Sequence, residues 1–138
     1  MLYDLKLLHE FCQELGFTSY FSSDEKLEIK FSEYCVLIFW NNYNSNGSDE
    51  CIMGFKIEDS GRMFNWHVHG GIMFSDGIQY IEMDALDILA GLKDGTVLIC
   101  EIWREGKFDN RLLMHHKITK LFADMDKGEE IKVLRLNI

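Results

Sequence analysis

"KLEIKFSEYCVLIFW", residues 26–40, decides the fold of this chain. Its first half alternates, with Leu27, Ile29 and Phe31 apolar and Lys26, Glu28 and Lys30 charged. Alternate residues of a strand face opposite sides, so this is a strand buried on one face. The second half, residues 34–40, is an unbroken apolar run rich in β-branched and aromatic residues. Such a run suits a central strand covered on both faces. Ser32 and Glu33 between the halves leave room only for a tight turn, so the two strands are expected to pair as a hairpin.

Upstream, "YDLKLLHEFCQELG" has Leu5, Leu8, Phe11, Cys12 and Leu15 at helical spacing, with Asp4 to cap the start and Gly16 to end it. Downstream, "NNYNSNGSDE" (41–50) is polar and Asn-rich, a loop longer than most hairpin connections. "CIMGFKI" (51–57) and "RMFNWHVH" (62–69) predict a second hairpin, and "GIQYIEM" predicts one more strand after the "SDG" turn. "DALDILAGLKDG" is a second helix, capped by Asp84 and followed by Gly95. "TVLICEIW" (96–103) is a strand and "REGK" a turn. In "LLMHHKITKLFADMDKG", Met114, Ile118, Leu121, Phe122 and Met125 keep helical spacing and predict a third helix, although its first turn also suits a strand returning from "REGK". "EIKVLRLNI" closes the chain as a strand. The expected architecture is α+β: one domain over residues 1–138, a mostly antiparallel sheet with two or three packed helices.

The chain has 138 residues, 47% of them hydrophobic and 27% charged, which suits a self-sufficient core. No apolar run approaches the length of a membrane span, and the acid-bearing N-terminus is unlike a secretory signal. Cys12, Cys35, Cys51 and Cys100 are scattered without a C-x-x-C pair, as expected of reduced thiols in the cytoplasm. The net charge of −9 is uneven: residues 1–103 hold 6 Lys+Arg against 17 Asp+Glu, and residues 104–138 hold 8 against 6. Such a chain repels phosphate backbones and anionic membranes and steers basic partners toward itself.

The most chemical stretch is "GRMFNWHVHGG" (61–71). His67 and His69 lie two apart, so on a strand both face one side and can reach one metal ion. Gly61 followed by His67 and His69 resembles the opening of the cupin metal motif. The acid that motif needs would fall near Met73 or Phe74, where there is none, and its proline-containing second half has no counterpart in a chain without proline. The alternation instead predicts Phe64, Trp66 and Val68 facing the core, with His67 and His69 on the polar face. His115 and His116 read as a boundary and an exposed residue. There is no G-x-S-x-G elbow, P-loop or dinucleotide fingerprint. The carboxylate pairs Glu58–Asp59 and Asp124/Asp126 fall in predicted turns or helix ends, where acids are usually solvated. No catalytic residue and no cofactor is assigned.

A binding surface remains. Asp24, Glu25, Asp49 and Glu50, with Trp40 and Tyr43 flanking the Asn-rich loop, combine carboxylates that set approach and register with aromatic anchors. Hairpin pairing is expected to hold the "SSDE" turn and that loop at opposite ends, as separate patches. In length, acidity, lack of a catalytic motif and stretches such as "FWNNYNSNGSDE", the chain resembles the immunity proteins of contact-dependent growth inhibition and other polymorphic toxin systems. That resemblance implies a cytoplasmic protein that masks a toxin's C-terminal domain, commonly a nuclease. It implies a basic protein partner, with neither nucleic acid nor membrane bound. The alternative is a small metal-binding protein or enzyme centred on His67 and His69.

Overall fold

In the computed structural model the predicted hairpin forms the middle of a five-stranded antiparallel sheet, ordered β1-β2-β3-β4-β5. Its strands are β1 (Thr18–Ser23), β2 (Lys26–Ser32), β3 (Cys35–Asn42), β4 (Glu50–Lys56) and β5 (Phe64–His69). The structure describes residues 2–43, 47–57, 64–118, 128–134 and 136. Lys26 pairs with Trp40 and Lys30 with Val36, which leaves Glu33 and Tyr34 as the turn. On one face of β3, Cys35, Leu37 and Phe39 enter the main core. On the other face Val36 and Ile38 are buried too. Polar neighbours help to close that second face. Lys56 Nζ reaches Glu28 Oε1 at 3.4 Å, linking β4 to β2 across Ile38, and Lys26 Nζ lies 5.1 Å from the centre of the Trp40 ring. The aliphatic stems of lysines are good covers for apolar surface.

Both helices begin and end where their capping residues stand. In α1 (Leu5–Leu15) the Asp4 carboxylate accepts from the Leu7 N–H, and Gly16 ends the helix in the left-handed region at φ 82°. In α2 (Ala85–Asp94) Asp84 and Asp87 exchange side-chain hydrogen bonds with each other's backbone, a complete capping box. Leu5, Leu8 and Cys12 of α1 and Ile88, Leu89 and Leu92 of α2 join the core over the inner face of the sheet.

The remaining strands form a short hairpin, β6 (Ile72–Ser75) with β7 (Tyr80–Met83), and a three-stranded antiparallel sheet ordered β10-β8-β9. These last are β8 (Val97–Arg104), β9 (Lys107–His115) and β10 (Glu129–Leu134). The expected third helix is corrected here over its first residues: Leu112, Met114 and His115 belong to β9. Pairing decides this. Arg111, Leu113 and His115 oppose Glu101, Ile99 and Val97 on β8, and a short apolar run serves either period until a partner strand takes its hydrogen bonds. Leu121, Phe122 and Met125 lie outside the described residues, among which there are two helices. Two strands were missed, β1 and β6. The sequence of β1, "TSYFSS", lacks the alternation that marks a buried face because it lies at the sheet edge and is mostly exposed.

Phe64 also departs from expectation. Gly54 pairs with His67 but Lys56 pairs with Phe64, so β5 uses three steps where β4 uses two. The extra residue is a bulge, and it turns Phe64 to the face that carries His67 and His69, away from Trp66 and Val68. The Phe64 ring then lies on Gly54, where an added Cβ would come within 2.7 Å of Phe64 Cδ1 and of the Trp66 carbonyl oxygen. Gly54→Ala is therefore expected to cost about 1–3 kcal/mol by overpacking, read as a lower urea midpoint with an unchanged slope.

Candidate functional site

The β2–β3–β4 register corrects the expectation of two separate acidic patches. The β1–β2 turn carries Asp24 and Glu25, and its Glu25 carbonyl accepts from the Asn41 N–H at 2.8 Å near the end of β3. Asn42 at that end pairs with Glu50 at the start of β4. Asp24, Glu25, Tyr43, Asp49 and Glu50 are thus all exposed at one end of the sheet. The signal was in the sequence. A two-residue link folds β3 back on β2, so the segment before β2 and the segment after β3 must meet at the same end.

The two predicted aromatics differ in availability. Tyr43 is 54% exposed. Trp40 is half-buried beneath Lys26, and its indole N–H is buried with no hydrogen-bond partner among the described residues. Tyr43 is the free anchor of the pair.

Sequence reasoning missed the clamp behind this rim. Asn41, placed in a loop by its neighbours, is a buried strand residue. Its Oδ1 accepts from the Tyr3 N–H at 2.8 Å and its Nδ2 donates to the Tyr3 carbonyl at 2.9 Å. The Tyr3 hydroxyl in turn donates to the Gly70 carbonyl at 2.5 Å. Burial first, and then Cys51, push the Tyr3 phenol above its usual range, so it stays a donor. A cleft of about 280 Å³ opens beside this clamp, lined by Tyr3, Leu7, Cys51, Gly70 and the N-terminal ends of both helices. Asp4 and Asp84 stand in its lining, so the acidic character of this end continues past the sheet. Residues 63–92 contain no Lys or Arg at all.

The chemical alternatives find little geometry. His67 and His69 are exposed on one face with ring centres 5.4 Å apart, as their spacing predicted. No group of three or more His, Cys, Asp or Glu suited to a metal ion occurs among the described residues. Cys12, Cys35 and Cys100 are buried, and burial pushes each thiol up to about 11, which keeps them protonated and unreactive at neutral pH. Glu58, Asp59, Asp124 and Asp126 lie outside the described residues.

His115 has a structural role. It is buried, its Nδ1 accepts from the Lys117 N–H at 3.1 Å, and its ring lies 5.7 Å from that of Phe74. Burial, then the neighbouring His116 and Lys117, lower its pKa below 6.5, against a smaller opposing pull from Asp94. The unfolded chain therefore takes up this proton first as pH falls. The stability contributed by neutral His115 is complete above the unfolded pKa near 6.5 and is lost below it, levelling off once the folded form is protonated too. Urea unfolding between neutral and mildly acidic pH should show this loss, and His115→Asn, which keeps an acceptor for Lys117, should flatten it.

No protein-family model, curated protein or solved structure matches the chain. Among the described residues no helix is long and apolar enough to cross a membrane.

Proposed function

We propose that this chain is a bacterial immunity protein: it acts in the cytoplasm by binding a basic toxin domain and masking its active or substrate-binding surface. The observation that carries this reading is the convergence of Asp24, Glu25, Asp49 and Glu50 around the exposed Tyr43 at one end of the sheet. Carboxylates on a rim speed the encounter with a cationic surface, and a desolvated aromatic at the centre supplies the slow dissociation that neutralisation needs. Inhibition of this kind asks no chemistry of the binder.

The test is co-expression with the toxic C-terminal domain encoded by the neighbouring gene. Protection, with recovery of a stable complex, is the expected result, and absence of both would end the proposal. Within the complex, Asp24/Glu25→Lys together with Asp49/Glu50→Lys is expected to slow association by roughly 10–100-fold and to flatten its salt dependence. Tyr43→Ala is expected to act mainly on the dissociation rate. Unchanged association in the charge-reversed variant would move the interface away from this rim.

One observation favours a second reading, a metal-binding protein: the shared face of His67 and His69. Stoichiometric zinc or nickel in the purified chain, lost in His67→Ala/His69→Ala, would put that reading first.

A further inference from the structure

The cleft beside the Tyr3 clamp adjoins a second hollow of about 340 Å³, and the two share Gly71 and Asp84 in their linings. They differ in chemistry. The cleft is walled by Leu2, Leu7 and Leu86, of which Leu7 is 45% exposed. The second hollow is walled by Glu82, Asp84 and Asp87, all exposed, with Met83. Gly71 lets the two meet. A Cβ there would run into the Met83 carbonyl oxygen and come within 3.2 Å of Asp84 Cα, so the lack of a side chain holds the start of β6 close to the start of α2.

Charge runs one way through both hollows. Asp4, Glu82, Asp84 and Asp87 are the charged residues of the described linings, and none of them pairs with Lys or Arg among the described residues. A bare helix N-terminus favours an anion, with about half a positive charge. Here each N-terminus already faces a whole negative charge. The Asp4 carboxylate accepts from the Leu7 N–H at 3.1 Å, and that of Asp84 from the Asp87 N–H at 2.8 Å. Glu82 and Asp87 add two more charges, so the balance is negative. The caps also fix two carboxylates in place before anything binds, which lowers the ordering cost of a ligand. A carboxylate that accepts one bond keeps lone pairs for others.

We propose that the paired hollows are a receptor for one arginine side chain of the basic partner, its aliphatic stem in the cleft and its guanidinium over Glu82, Asp84 and Asp87. The chemistry selects this occupant. An anion is repelled. A neutral apolar group would fill the cleft but take water from Asp4 and Asp84 without replacing it. A metal ion needs ligands gathered round one point, and no such group of three occurs among the described residues. A guanidinium spreads its charge over a plane of five N–H donors and reaches carboxylates that a point charge cannot bridge. The cleft, at about 280 Å³, lies just below the pockets of about 300–1,000 Å³ that hold drug-sized ligands, and suits a single long side chain. Cys51 in its lining follows Glu50 of the acidic rim, so a partner on the rim is within reach of it. Whose arginine enters rests on the function proposed above; the preference for arginine does not.

The test is titration of the isotope-labelled full chain with butylguanidinium, followed by amide NMR shifts. Saturable shifts are expected at Tyr3, Leu7, Cys51, Gly70 and Asp84 at roughly millimolar probe, in keeping with so small a ligand. Butylammonium should bind several-fold more weakly, and butyrate not at all. Asp84→Ser/Glu82→Gln keeps an N-cap for α2 but removes two charges, and should weaken binding by roughly tenfold. Glu10→Gln/Glu14→Gln removes the same charge from exposed positions farther along α1, and should leave binding within about twofold. Circular dichroism and thermal melting of each variant separate a lost site from a lost fold. Absence of saturable shifts at the cleft would overturn the proposal. So would butyrate or butylammonium binding as well as the guanidinium, or equal losses in the two charge variants. None of these measurements needs the partner, so they fail separately from the co-expression test. In the complex, Asp84→Ser/Glu82→Gln should raise the Kd by roughly tenfold or more, and an unchanged Kd would overturn the assignment of the arginine to the partner.

Discussion

Arg111→Met is expected to destabilise the protein by about 3–5 kcal/mol, the usual cost of leaving half of a buried ion pair behind. Arg111 and Glu101 oppose each other on β9 and β8, with side chains only 11% and 12% exposed. Both Nη2, at 2.6 Å, and Nε, at 3.1 Å, donate to Glu101 Oε2. The other carboxylate oxygen accepts from the Trp103 indole N–H at 3.2 Å. The guanidinium lies 5.0 Å from the Phe108 ring centre and 5.9 Å from that of Phe55, so it also joins the small sheet to β4. Removing it leaves a carboxylate in a poorly solvated place with a single donor. Replacing both partners, Arg111→Met with Glu101→Leu, is expected to recover most of the loss, because the desolvation cost of both charges disappears together. Urea unfolding of the two single variants and the double variant measures this. A single-variant loss below about 1 kcal/mol, the range of exposed pairs, would show that water reaches the site.

Asn41→Ala is expected to cost about 2–4 kcal/mol, since it strips the partners from both backbone groups of Tyr3 at once. The effect should have a place as well as a size. The Tyr3 amide should lose its protection against hydrogen exchange, while amides in β2 and β3 keep theirs up to the new global stability. Freeing Tyr3 also loosens its contact with Gly70 and one wall of the cleft, so the toxin binding proposed for the acidic rim should weaken beyond what stability alone predicts. Asn41→Asp keeps the acceptor for the Tyr3 N–H but loses the donor to its carbonyl, and should fall between the two. Equal exchange at Tyr3 in all three proteins would remove Asn41 from the role of clamp.

Much of this molecule was legible because its signals are local. Leu27, Ile29 and Phe31 alternate because one face of β2 packs on the main core, and residues 35–39 are continuously apolar because both faces of β3 are buried. Asp4, Gly16, Asp84 and Gly95 act within one helical turn of their own positions, so their capping roles need no knowledge of the rest of the fold. The rim residues were found as acids and aromatics in turns, and their union follows from counting along one hairpin. Asn41 was hidden because its polar neighbours disguise a buried side chain whose partner is 38 residues away.

By itself, then, the sequence determined the central hairpin, the two capped helices and the acidic character of residues 1–103. These follow from periodicity, capping chemistry and charge, each a property of neighbouring residues. Only the tertiary structure decided that residues 107–115 run as a strand and that a bulge turns Phe64 outward over Gly54. It alone tied Tyr3 to Asn41 and placed β1 at the edge of the five-stranded sheet. In each case the outcome depends on which strand lies alongside and in what register, because backbone hydrogen bonds must be met by whatever chain is near.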